Sequence, residues 1–332
     1  MTPLVRTYND VNEAYFELQY TKRHYTSWEE TRNGIALVWQ VPVLVCNAAP
    51  YRRVLFDPIR NANPFLHYME AIWMLAGSND AHFLVRFSQQ FREYSDNGST
   101  LHGAYGHRWR SHFGQDQIDS VIHQLKKNPS SRRIVLSMWD PRVDMESFSK
   151  DLPCNTHIYF RVVDRKLTMT VCNRSNDLVW GMMGANIVHM SILQEYIANS
   201  VQMEPGPLYQ FTNNLHVYKG WEHKWREPWD HWYELNPMCR RHKFSPVNLD
   251  IDEAERFLDE GVHANFPYRS RILRDNAIPM FDAWLTYKNN DLPLAKHIAS
   301  RIYDDDWKHA CVEWLTRVEA TRNGSQDPDV YA

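Results

Sequence analysis

Apolar positions recur at helical spacing in some stretches of the chain and cluster with β-branched neighbours in others, and these two patterns divide it into elements. From Phe65 to Ala76, residues Met69, Ile72, Trp73 and Ala76 share a helical face with Glu70 between them, and Gly77-Ser78-Asn79-Asp80 supplies the stop. Ile118 to Lys126 repeats the pattern through Ile118, Val121, Ile122 and Leu125. Arg133 to Trp139, His157 to Val163 and Leu167 to Val171 are rich in β-branched and aromatic residues and read as strands, the last two joined into a hairpin by Asp164-Arg165-Lys166. Helical periodicity returns from Ile187 to Val201. Beyond Asn236, Pro237, Pro246 and charged residues lead into shorter helical patterns at Asp252–Leu258, Pro279–Tyr287, Leu294–Tyr303 and Trp307–Glu319. The chain therefore divides into a larger unit, 1–235, and a helical C-terminal extension, 236–332.

Composition narrows the class. A chain of 332 residues can bury a substantial core without covalent staples. Its five cysteines are odd in number, scattered and free of any C-x-x-C pair, which excludes a disulfide framework or zinc ribbon and fits a reducing cytoplasm. No metal is expected. Residues Met1 to Tyr20 lack the apolar core of a signal peptide, and no apolar run approaches membrane-spanning length, so no membrane partner is expected. A formal charge of −3 gives no basic field for polymeric nucleic acid, although a mononucleotide needs only a local basic pocket. Trp221, Trp225, Trp229 and Trp232 could form a base-stacking platform, but the mixed charge around them favours an aromatic face packed on the core.

The chemistry concentrates in two runs. Leu152-Pro153-Cys154-Asn155-Thr156-His157 offers a thiol that can attack carbon, and Asn173-Arg174-Ser175-Asn176-Asp177 offers an arginine and a serine that can hold a phosphate. Together they suggest covalent chemistry on a phosphorylated small molecule.

An ordered set of motifs from Thr31 to Tyr218 resembles the thymidylate synthase family, which includes the pyrimidine nucleotide hydroxymethylases of DNA viruses. Thr31-Arg32-Asn33-Gly34 is similar to the family's early phosphate-binding turn, and Glu70, in the helix with Trp73, to its catalytic glutamate. Gly103-Ala104-Tyr105-Gly106 with Trp109-Arg110 resembles the tyrosine segment, Ser131-Arg132-Arg133-Ile134 the arginine pair that reaches across the dimer, and Pro153-Cys154 the nucleophile. Asn173, Arg174, Ser175 and Asp177 match the phosphate and folate segment, Asn186 the base-reading asparagine, and His216-Val217-Tyr218 the sugar-binding pair.

The resemblance implies an α/β fold with a mixed, largely antiparallel sheet and flanking helices. It also implies a homodimer with shared active sites, a deoxypyrimidine monophosphate as substrate and 5,10-methylenetetrahydrofolate as cosubstrate. Cys154 would add to carbon 6 of the pyrimidine, making carbon 5 nucleophilic, with Arg174 expected to lower the thiol pKa. Arg32, Arg174 and the partner's copies of Arg132 and Arg133 would grip the phosphate with Ser175. Glu70, on an otherwise apolar helix, requires hydrogen-bond partners or a raised pKa and would move protons at the pyrimidine carbonyl. His216 and Tyr218 would hold the sugar, and Tyr105 would organise the thiol's surroundings. The Asn186 amide can donate to the carbonyl at position 4 of uracil and accept from its ring N–H, whereas cytosine reverses both demands. Hydroxymethylases acting on cytidylate resemble this family but carry aspartate there, so asparagine favours uridylate. The run Gly181-Met182-Met183-Gly184-Ala185-Asn186 is one residue longer than the usual family spacing.

Three departures from the synthase pattern bear on the final step. Phe91 and Tyr94 stand where synthases usually carry a tryptophan pair near the folate; Asn155 follows the nucleophile where they carry histidine; and Pro328-Asp329-Val330-Tyr331-Ala332 lacks the folate-closing tail. A wetter site admits water in place of hydride. The leading expectation is deoxyuridylate 5-hydroxymethylation serving modified viral DNA. Thymidylate synthesis, deoxycytidylate hydroxymethylation and, from another class, a catalytically silent nucleotide- or partner-binding relative stand as alternatives. The intact set of Cys154, Glu70, Arg174 and Asn186 argues against the last.

Overall fold

A computed structural model of the chain describes residues 2–221, 245–260 and 266–322. Its strands form two sheets. The six-stranded sheet runs, in spatial order, β1 (Leu4–Tyr8), β4 (Val43–Asn47), β9 (Glu204–Thr212), β7 (Lys166–Asn173), β6 (Asn155–Val163) and β5 (Val135–Ser137). The four-stranded sheet runs β2 (Thr26–Thr31), β3 (Gly34–Trp39), β10 (Leu215–Tyr218) and β8 (Asn176–Asp177). Only β1 with β4, β7 with β9 and β8 with β10 pair in parallel. The fold is thus α/β, mixed and largely antiparallel.

The anticipated hairpin is present, with a tighter turn. Val163 pairs with Lys166, leaving a two-residue loop in which Asp164 and Arg165 both take positive φ, at 50° and 61°. That backbone matches the right-handed twist of the flanking strands. Along β7, Leu167, Met169 and Val171 point into the core. The opposite sheet face carries the row Val5, Leu44, Phe211, Cys172, His157 and Ser137, and beside it Thr7, Cys46, Tyr209, Thr170, Tyr159 and Val135. Val5, Phe211, Tyr159 and Val135 are exposed on it.

Helix Pro64–Leu75 is capped by Asn63, whose side chain accepts from the Leu66 N–H at 3.1 Å, and it carries proline in its first turn, where no intrahelical N–H partner is lost. Ten of its twelve residues are buried, because neighbours cover it on both sides. One neighbour is helix Asn186–Ser200. The other is the set of C-terminal helices Ile251–Glu260, Ile278–Lys288 and Asp305–Arg322, with Leu292–Ala299 packed on the last two, and these fall close to where periodicity placed them.

These helices share one continuous apolar core with the preceding part of the chain. Phe65 meets Trp284 and Trp314 at ring-centroid distances of 5.6 and 5.8 Å, and Tyr68 meets Trp307 at 5.1 Å. Trp221 packs edge-on against Trp180 at 4.9 Å. Trp225, Trp229, Trp232 and the terminal Pro328–Ala332 lie outside the described residues. Among the described residues, no helix is long and apolar enough to cross a membrane.

Candidate active site

The sheet brings the two chemical runs together. Asn155 and Asn173 are register partners in β6 and β7, so Cys154 and Arg174 fall side by side at the end of the hairpin, where the Arg174 N–H donates to the Cys154 carbonyl at 3.0 Å. The guanidinium folds back on the nucleophile loop, with Nε donating to the Pro153 carbonyl at 3.0 Å and Nη2 to the Leu152 carbonyl at 3.1 Å. It also lies 5.5 Å from the centre of the Trp139 ring. Burial pushes the Cys154 thiol above its ordinary value, and the Arg174 charge opposes that rise without overcoming it, while Asp151 and Asp177 add to it. Arg174 thus acts on the thiol in the expected direction, and desolvation outweighs it in the free protein.

The tyrosine segment is clamped between this loop and the Glu70 helix. The Gly103 N–H donates to Asp151 Oδ2 at 2.8 Å. Gly106 lies so close to the Met74 carbonyl that a Cβ there would stand 1.7 Å from it, so only glycine allows this approach. Behind the segment, Arg108 makes a buried pair with Asp144 at 2.6 and 2.7 Å and donates to the His102 carbonyl at 3.1 Å. The Tyr105 hydroxyl is held far above its ordinary pKa, first by burial, then by the nearby charges of Cys154, Asp151 and Glu70, with Arg174 opposing. Cys154, Glu70, Tyr105 and Arg174 thus occupy one electrostatic neighbourhood. Glu70 faces His189, whose Nε2 stands 3.5 Å from Glu70 Oε2, close enough for an ion pair but without a hydrogen bond.

A second group forms around the short strand β8. Asn176 pairs with Leu215 and Asp177 with His216. Asp177 Oδ1 accepts from the Trp180 N–H at 2.6 Å, whereas Oδ2 is buried with no hydrogen-bond partner among the described residues. Burial raises the Asp177 carboxyl, against the Trp180 N–H and the His216 charge.

Residues Leu178–Ala185 then form a wide π-type helical turn that departs from helical geometry at Gly184 and leads directly into helix Asn186–Ser200. Such turns absorb a single extra residue, which accounts for the longer spacing before Asn186. Asn186 Nδ2 donates to Asn176 Oδ1 at 2.9 Å, fixing the orientation of the Asn186 amide. A Cβ on Gly181 would stand 2.4 Å from that Asn176 oxygen. Arg60, buried beneath the turn, donates from Nε to the Val179 carbonyl at 2.8 Å, and its guanidinium lies 4.1 Å from the centre of the Trp180 ring.

Around this centre, His216 is buried with Nδ1 3.1 Å from Asn214 Oδ1. The Tyr218 hydroxyl accepts from Asn33 Nδ2 at 3.3 Å, and the neighbouring Arg32 reaches the Ser149 carbonyl at 3.3 Å, so the β2–β3 turn touches the segment leading to Cys154. Phe91 and Tyr94 meet perpendicularly at 6.2 Å. Burial raises the Tyr94 hydroxyl, as do the charges of Asp151, Glu93, Tyr218 and Asp177, which puts it beside both groups. Ser175 is half-buried next to Arg174. Asn173 is turned into the sheet, its Nδ2 donating to the Phe211 carbonyl at 3.1 Å. Arg132 and Arg133 are exposed ahead of the edge strand β5.

Sequence reasoning missed Asp151, Asn176, His189 and the Arg108–Asp144 pair. Asn176 lay within a quoted motif. His189 follows Asn186 by three residues and so shares its helix face, a spacing that marks it once Asn186 is assigned. Asp151 and the Arg108–Asp144 pair carry no local signature, since their partners are distant in sequence.

Comparison with known proteins shows the family. The thymidylate synthase family model matches residues 61–266. A deoxyuridylate hydroxymethyltransferase of Pseudomonas phage M6 is 40% identical across 96% of this chain and 95% of its own length. Proteins of the same description from Bacillus phage SP01 and Delftia phage PhiW-14 are 36% and 32% identical, over 64% and 49% of this chain and 56% and 48% of their own lengths. With a family model matching residues 61–266 and a relative aligned almost end to end, the chain belongs to the thymidylate synthase family.

Proposed function

We propose that this protein transfers a one-carbon unit from methylenetetrahydrofolate to carbon 5 of deoxyuridine 5′-monophosphate, where addition of water leaves it as a hydroxymethyl group. The observation that carries this reading is the clustering of Cys154, Arg174, Tyr105 and Glu70, with Asn186 held in one orientation by Asn176. The near full-length likeness to the phage M6 enzyme supports the choice of reaction.

The Cys154 thiolate adds to carbon 6, and Glu70 serves the pyrimidine carbonyl. Binding of nucleotide brings Arg32 and Arg174 to its phosphate, while Asn186 reads the uracil edge and His216 and Tyr218 face the sugar. Folate supplies the one-carbon unit. The free Asp177 Oδ2 is a suitable acceptor for an N–H of its pterin, and Phe91, Tyr94 and Trp180 offer aromatic surface beside it.

The uncovered face of the six-stranded sheet, with Val5, Tyr159 and Phe211, supports a homodimer in which the partner's Arg132 and Arg133 complete the phosphate site. Mixing Arg133→Ala with Cys154→Ala subunits is expected to restore part of the activity, and no recovery would count against a shared site. Mass spectrometry of nucleotides after turnover tests the reaction itself. A 5-hydroxymethyl product from deoxyuridylate is expected; a 5-methyl product with dihydrofolate, or reaction of deoxycytidylate alone, contradicts it.

A further inference from the structure

His189 is a buried polar residue of the site that the reaction described above leaves without a task. It is 4% exposed, and neither ring nitrogen has a hydrogen-bond partner among the described residues. An imidazole is rarely left so, because each buried nitrogen without a partner forfeits its hydration. Its position is tightly set. It lies three residues from Asn186 on one face of helix Asn186–Ser200, its ring meets that of Tyr105 perpendicularly at 6.2 Å, and its Nε2 stands 3.5 Å from Glu70 Oε2, in ion-pair range but without hydrogen-bond geometry.

Resting on the proposed hydroxymethylation, we infer that His189 is the proton partner of Glu70 in the step that distinguishes this reaction from methylation, the addition of water. At that stage carbon 5 of the Cys154-bound nucleotide carries an exocyclic methylene. A water oxygen bonds to the methylene carbon, and the electron pair of the exocyclic double bond moves through carbon 5 into the carbonyl at position 4. Glu70 takes the proton lost by the water and passes it to His189. The carbonyl then re-forms, the 5,6 double bond is restored, and the bond between carbon 6 and sulfur breaks to release Cys154 as thiolate. A carboxylate alone is a weak base toward water at neutral pH, and an adjacent imidazole gives the proton a place to rest. His189 acts through Glu70 and is therefore a positioning and relay residue.

The test separates the two halves of the reaction. With deoxyuridylate tritiated at carbon 5, tritium release reports formation of the carbon–carbon bond, and 5-hydroxymethyl product reports capture of water. His189→Gln keeps a hydrogen-bonding side chain near Glu70 but cannot carry the proton. The ratio of hydroxymethyl product to released tritium is expected to fall about tenfold or more, with 2-mercaptoethanol intercepting the exocyclic methylene as a thioether. Glu70→Gln is expected to lower both readouts together. Equal loss of both readouts in His189→Gln would show a merely structural role, and an unchanged ratio would show none; either overturns the inference. Failure of the wild-type protein to make any hydroxymethyl product would instead sink the assigned reaction.

Discussion

Helix Pro64–Leu75 separates two regions built on opposite principles. In front of it, polar groups are buried without hydrogen-bond partners among the described residues: both nitrogens of His189, Oδ2 of Asp177 and both amide atoms of Asn155. Behind it, rings cover rings, with Phe65, Tyr68, Trp284, Trp307 and Trp314 in edge-on or tilted contact, and the Tyr68 hydroxyl donating to the Ile272 carbonyl at 3.3 Å. A polar atom left unpaired in a buried site costs about 1–3 kcal/mol, whereas edge-on aromatic pairs add about 0.5–1.5 kcal/mol each beyond their area. Buried atoms without partners also occur behind the helix, at Trp314 Nε1 and Asp306 Oδ1, so the contrast lies in what surrounds them: reactive groups that a ligand can engage at the front, and aromatic rings that support the helix at the back. On this view the C-terminal helices are the rear wall of the Glu70 helix.

Substitutions on the two sides should therefore fail in different ways. Cys154→Ala, at the front, is expected to lower turnover by about 10⁴-fold or more, while its melting temperature stays close to that of the parent. Trp314→Ala, at the back, is expected to cost about 3–5 kcal/mol in denaturant unfolding, with the molecules that remain folded still alkylated at Cys154 by a nucleotide analogue. If Trp314→Ala were as stable as the parent, the division of labour would be wrong.

A subtler change sharpens the picture of the front. Asn186→Asp should shift preference from deoxyuridylate toward deoxycytidylate by about 10- to 100-fold in kcat/KM, matching about 1–3 kcal/mol for a mismatched buried hydrogen bond. Asn176→Ala, which frees the Asn186 amide to rotate, should relax the preference without reversing it.

The smallest expected effect lies at the back and depends on pH. Burial raises the carboxyl of Asp304 to about 6 and that of Asp306 to about 7. Both exceed the ordinary aspartate value of about 4, so between those limits the folded chain binds more protons than the unfolded one. The stability these groups contribute is full below about pH 4 and is lost as pH rises through 6 and 7. Asp306→Asn should flatten that decline in a series of melting temperatures across the range; an unaltered slope would refute the assignment.

The sequence made parts of this molecule legible for physical reasons. Helices with a clean apolar stripe, such as Gln117–Lys127 and Ile251–Glu260, were read to within a few residues, as were β6 and β7 with their alternation. Strand β9 was not, because Pro205, Gly206 and Pro207 argue against a strand in its first half; the register with β7 shifts there between Leu167 and Met169. Nor was β2, whose residues alternate little in burial and leave Trp28 exposed. Motif order led to Cys154, Arg174 and Asn186. It did not lead to the balance at the thiol, where burial exceeds the Arg174 charge, or to His189, whose partner Glu70 lies more than a hundred residues earlier.

The most direct test of the account is covalent capture. Incubation with 5-fluoro-deoxyuridine 5′-monophosphate and methylenetetrahydrofolate, followed by peptide mapping, should place the combined mass of both on the peptide containing Cys154 and on no other cysteine. Absence of an adduct, or its appearance at Cys46, Cys172, Cys239 or Cys311, would contradict it.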